Sequence, residues 1–95
     1  MEKLIQFIKS NISEIGSFNM EYTDIKREIK VNGGIIQHFG QDFVRVDFKD
    51  KRSQHIFYRN LTDDVLLEIV YVVLRYKTKL REYENFINSK FKNKH

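Results

Sequence analysis

The chain has 95 residues, 41% of them hydrophobic and 32% charged, and a net charge of +4. That length suits one domain over 1–95, and the apolar share is too high and too patterned for a disordered chain. With no cysteine, no proline and no run of 18 apolar residues, disulfides, thiolate metal sites, a cysteine nucleophile, polyproline ligands and a membrane-spanning helix are excluded.

The charge is unevenly spread. Residues 1–25 are net −2, residues 26–60 net +4 and residues 61–95 net +2. A moderate basic excess in the middle and at the end permits a polyanionic or acidic partner without requiring one. No basic stretch leading into an apolar run opens the chain, so no secretory leader is expected and the expected compartment is the cytoplasm. The sequons Asn11-Ile12-Ser13 and Asn60-Leu61-Thr62 carry no weight without such a leader. Richness in Lys, Ile, Asn and Phe points to an AT-rich coding source, a bacterium, phage or mobile element.

Residues 2–15 read as a helix. Ile5, Ile8, Ile12 and Ile15 recur at steps of three and four, and Leu4 widens the stripe. Gly16 stands where a left-handed helix cap belongs. Residues 17–31 are ambiguous. Phe18, Met20 and Tyr22 alternate, as do Ile29 and Val31, which favours strand. Tyr22, Ile25 and Ile29 also fit a helix capped by Thr23. Strand is preferred because Asn32-Gly33 follows at once, and that pair is the strongest short hairpin signal. Ile35 to Phe39 is the return strand, with Gly40 as bulge or turn. A second hairpin runs from Phe43 to Lys49, turns through Asp50 to Ser53, and returns from Gln54 to Arg59.

Residues 62–88 form the longest predicted element. Thr62 is the N-cap, and Asp63 and Asp64 complement the helix dipole in the first turn. Leu66, Ile69, Val73, Tyr76, Leu80, Tyr83 and Ile87 keep an unbroken heptad seam. Val65, Val70, Val72 and Leu74 on other faces predict a first half buried nearly all round. Ser89 to His95, with Lys90, Lys92 and Lys94, is expected to fray. At 1.5 Å per residue such a helix is about 40 Å long, longer than the roughly 32 Å diameter of a compact chain of this size. Its last turns then overhang with Leu80, Tyr83 and Ile87. An antiparallel first helix would cover them; a homodimer through this helix or another protein are the alternatives.

The fold class is α+β: an N-terminal helix, an antiparallel meander of three to four strands and a long C-terminal helix, both helices on one sheet face. Alternation then places Phe43, Arg45, Asp47, His55, Phe57 and Arg59 on the other face, joined by Lys26, Glu28, Lys30 and His38 if the first hairpin is correct.

No phosphate loop or nucleophile elbow occurs, and no catalytic, metal or cofactor residues are assigned. An enzyme would need His38 and His55 to gather with Asp42 or Asp47 around a metal or an activated water. The leading expectation is a small accessory, regulator or inhibitor that docks a larger protein through Phe43, Arg45, Phe57, Arg59, Leu80, Tyr83 and Ile87. The alternative is a single-stranded nucleic-acid-binding domain using Arg45, Lys51, Arg52, His55, Phe57 and Arg59. No membrane partner is expected.

Overall fold

The computed structural model describes residues 2–92. In chain order it has helix α1 (Glu2–Ile15), strand β1 (Phe18–Asn19), a 3₁₀ turn (Met20–Tyr22), strands β2 (Lys30–Val31), β3 (Gly34–Phe39), β4 (Phe43–Asp47) and β5 (Ser53–Phe57), a second 3₁₀ turn (Tyr58–Asn60) and helix α2 (Asp63–Lys92). No described helix is long and apolar enough to cross a membrane.

The sheet is antiparallel, in the order β1-β3-β4-β5, with β2 on the same side of β3 as β1. β1 pairs with Phe39 and His38, while β2 pairs with Ile35 and Gly34. The β2–β3 turn is the expected one. Asn32 and Gly33 have φ of 53° and 85°, as a type I′ hairpin requires at both central positions. Gly40 stands in the β3–β4 turn, as expected, its N–H donating to the Phe43 carbonyl at 2.9 Å, and β3 has a further irregularity between Ile36 and His38.

The ambiguous segment is neither one strand nor a helix. Thr23 is buried, and its hydroxyl donates to the Met20 carbonyl (2.8 Å) while accepting from the Ile25 N–H (3.0 Å). Asp24 then takes a left-handed conformation, φ 60°. A side chain that satisfies the backbone locally competes with the strand ladder. The chain therefore loops away and rejoins the sheet at Ile29, whose carbonyl accepts from the Ile36 N–H at 3.0 Å.

Both helices bury their apolar stripes on one face of the sheet. Ile8 and Ile12 of α1, and Leu66, Ile69, Val72 and Val73 of α2, join Ile36, Phe39, Val44, Val46, Ile56 and Tyr58 in a single cluster. Gly16 closes α1, its N–H donating to the Ile12 carbonyl at 2.7 Å. Thr62 caps α2: its carbonyl accepts from the Leu66 N–H (2.9 Å) and its hydroxyl from the Val65 N–H (3.3 Å).

One expectation for the helices is corrected. Glu2 and Ile5 of α1 lie beside Tyr58 and Arg59, and Glu14 and Ile15 lie beside Lys77, Leu80 and Glu84. The helices therefore run in the same sense, and α1 stops level with Leu80 instead of covering the seam beyond it. Helix α2 extends to Lys92, into the basic tail that begins at Ser89. The remainder of that tail, 93–95, lies outside the described residues. At 30 residues, α2 is about 45 Å long and sets the long dimension of a molecule measuring 53 × 32 × 17 Å.

Candidate functional site

The strand register builds the outer face of the sheet in rows. One row crosses all the long strands: Asn19, His38, Arg45 and His55. A second holds Lys30, Ile35, Asp47 and Ser53, and a third pairs Phe43 with Phe57. Because side chains alternate along a strand, these rows stand opposite Val44, Val46 and Ile56, which are buried under the helices.

The aromatic residues of this face touch one another. Phe43 stacks on His55, with centroids 4.6 Å apart and planes inclined by 23°. Phe57 meets Phe43 edge-on at 6.0 Å. The Arg59 guanidinium, carried by the 3₁₀ turn after β5, sits 5.1 Å from the Phe57 ring centroid, within cation–π range. Phe57 is 46% exposed. Beside these rings, the Arg45 Nε donates to Asp47 Oδ1 at 3.0 Å. Of the sites expected from the sequence, Phe43, Arg45, His55, Phe57 and Arg59 are thus brought together.

Lys51 and Arg52 are not part of that group. They lie in the β4–β5 turn, at the opposite end of the strands from Phe43 and Phe57. Arg52 is committed to Asp50, its Nε donating to Oδ2 at 2.6 Å, and Lys51 takes φ 70° to make the turn.

The histidines do not gather into a metal or acid–base cluster. Arg45 stands between His38 and His55 in their row. Asp47 is bound by Arg45, and Asp42 by the Lys9 ammonium at 3.0 Å. No group of three His, Asp or Glu among the described residues could hold a metal ion. His38 Nδ1 instead donates to Asn19 Oδ1 at 2.6 Å. Partial burial first, then the positive charges of Arg45 and His55, hold the His38 imidazole below its ordinary pKa.

The second site runs along α2. Its seam is fully buried at Leu66, Ile69 and Val73, and Tyr76 stacks on Phe18 at 4.2 Å. Leu80 and Ile87 are half-buried, whereas Tyr83 is 63% exposed. Phe86, off the seam, is also exposed, with the Lys90 ammonium 5.0 Å from its ring centroid. The seam residues Leu80, Tyr83 and Ile87 therefore straddle the point where α1 ends.

The first half of α2 is not buried all round. Leu67, Tyr71 and Leu74 are exposed. They step by four and three, a second stripe roughly opposite the seam; that spacing was visible in the sequence but was absorbed into one wide buried face. Arg27 lies over the Tyr71 ring at 4.2 Å. Phe7 of α1 is exposed as well. Lys77 donates to Asn11 Oδ1 (2.9 Å) and to Glu14 Oε2 (2.9 Å). One turn earlier on two helices running in the same sense, Phe7 and Leu74 occupy the matching positions.

Comparison with protein-family models, with curated proteins and with solved structures gave no match to this chain.

Proposed function

We propose that the protein is a small non-enzymatic interaction protein that docks a larger protein through α2. One observation carries this reading: past the end of α1 the seam of α2 continues through Leu80, Tyr83 and Ile87, with Tyr83 63% exposed. Isolated exposed apolar residues are ordinary. A heptad seam that continues past the neighbour covering it is a surface suited to being covered.

The occupant is a helix from another protein, flanked by acidic residues. Half-buried Leu80 and Ile87 with exposed Tyr83 keep heptad spacing, which takes knobs from a second helix. From Asn85 onward the chain carries three lysines and no acid. A second copy in parallel register would set like charges side by side, whereas an acidic helix would complement them.

The test is site-specific photo-crosslinking in the source cell, with the photoreactive residue at Tyr83 or, as a control, at Glu2 of α1. A cross-linked protein obtained at Tyr83 and absent at Glu2 is then purified and titrated against the wild-type chain and Tyr83→Glu. Saturable binding lost in Tyr83→Glu supports the reading. Cross-links only between copies of this chain would replace it with a homodimer.

A further inference from the structure

We infer that the outer face of the sheet binds single-stranded nucleic acid through Phe43, His55 and Phe57 as a stacking platform, with Arg45 and Arg59 as phosphate contacts. This surface is separate from α2, which packs on the other face, so the two readings stand or fall independently.

Three observations converge on it. Rings on neighbouring strands are already in contact, Phe43 on His55 at 4.6 Å and Phe57 against Phe43 at 6.0 Å. A platform fixed in this way loses little side-chain freedom when a base settles on it. His55 and Phe57 remain exposed. A solvated polar face does not need exposed aromatic residues, whereas every base presents a π-face to stack on them.

Two arginines stand beside the rings, where a phosphate chain would run. Arg45 crosses the centre of the face and Arg59 closes its end over Phe57. Asp47 holds the Arg45 fork in place at 3.0 Å, and at the other end Glu2 and Asp42 lie beside Phe57 and Arg59, Asp42 being paired with Lys9 at 3.0 Å. Protonation of the neighbouring His38 is opposed first by its partial burial and then by Arg45 and His55.

The geometry favours a strand over a duplex. The cations lie within the sheet surface beside the rings instead of projecting on a helix or ribbon that could enter a groove. Bases in a duplex have their faces occupied by one another, so a stacking platform reads only an unpaired strand.

The test is fluorescence anisotropy with labelled oligothymidine, oligouridine and a mixed duplex, each of about 12 units, titrated over a range of salt. The expected result is micromolar or tighter binding to a single strand at physiological salt, with the duplex weaker. Phe57→Ala is expected to weaken strand binding by about fivefold or more at an unchanged salt slope, because it removes stacking alone. The pair Arg45→Gln and Arg59→Gln is expected to make the log–log salt slope shallower by about 1.4, at roughly 0.7 per lost contact on a single strand. Arg75→Gln on α2 serves as the charge control and leaves the slope within about 0.7 of wild type. Phe57, Arg59 and Arg75 are exposed and Arg45 is half-buried and paired with Asp47, so thermal melts check that each variant is folded. No strand binding at physiological salt, equal or tighter duplex binding, or affinities and slopes unmoved by Phe57→Ala and the arginine pair would overturn the inference.

Discussion

Phe43 on β4 and His55 on β5 stack on the side of the sheet turned away from both helices, their ring planes only 23° apart. The contact joins neighbouring strands across the outer face, where cross-strand pairs contribute to sheet stability. Aromatic pairs of this kind contribute about 0.5–1.5 kcal/mol beyond their burial. His55→Ala is therefore expected to destabilise by about 1 kcal/mol. Combined with Phe43→Ala, it should cost less than the two single changes together. Urea denaturation of the two single variants and the double variant measures the coupling; strict additivity would show that the stack contributes nothing.

Tyr58 is the pivot between sheet and second helix. Its ring is fully buried and its hydroxyl donates to the Gly40 carbonyl at 2.7 Å. Burial, with Asp42 nearby, pushes its pKa up, so the phenol stays protonated and donates across the working pH range. Tyr58→Phe leaves that carbonyl unpaired and is expected to cost about 1–2 kcal/mol. Tyr58→Ala adds the cavity and is expected to cost about 3–5 kcal/mol. Chemical denaturation of the three proteins gives both differences.

The hairpin glycines separate two physical demands. Gly33 needs its φ of 85°, but a Cβ there would meet open space. Gly34 has ordinary backbone, yet a Cβ would lie 2.6 Å from Val46 Cγ1 and 2.8 Å from the Asp47 carbonyl oxygen. Gly33→Ala is expected to cost about 1 kcal/mol in backbone strain. Gly34→Ala forces β3 and β4 apart and is expected to cost more, about 2–3 kcal/mol. The order of the two melting temperatures checks this.

His38 gives the fold a pH dependence on its acid side. Its pKa is held below the ordinary 6.5 in the folded chain by burial and by Arg45 and His55. The folded state therefore binds fewer protons than the unfolded state in that range. Stability is intact above pH 6.5 and falls as pH drops from there toward the lowered folded value. His38→Gln removes this contribution, so its melting temperature is expected to fall less than that of wild type between pH 7 and pH 5. Identical slopes in the two proteins would show that His38 carries no such linkage.

The legible parts of the sequence were those with a single dominant period. The isoleucine stripe of α1, the alternation in β4 and β5, and Asn32-Gly33 each have one physical solution, and the structure adopts it. The alternation also placed Phe43, Arg45, His55 and Phe57 on one face. Residues 17–31 were not legible because Thr23 satisfies its neighbours' backbone groups itself, a local competition that apolar spacing does not record. The direction of α1 against α2 was not legible either. It depends on the turn at Tyr58 and on the clasp between Lys77, Asn11 and Glu14, which joins residues distant in sequence. The exposed row Leu67, Tyr71, Leu74 was missed because an apolar helix with two stripes has the same composition whether both are covered or one is left open.

The most direct measurement is the photo-crosslink at Tyr83, followed by titration of the purified cross-linked protein. One protein partner is expected to be captured at Tyr83 and not at Glu2, binding wild type saturably and Tyr83→Glu at least tenfold more weakly, a difference of about 1.4 kcal/mol. A Tyr83→Glu variant that binds such a partner as tightly as wild type, or a Tyr83 position that captures no protein beyond the Glu2 control, would contradict it.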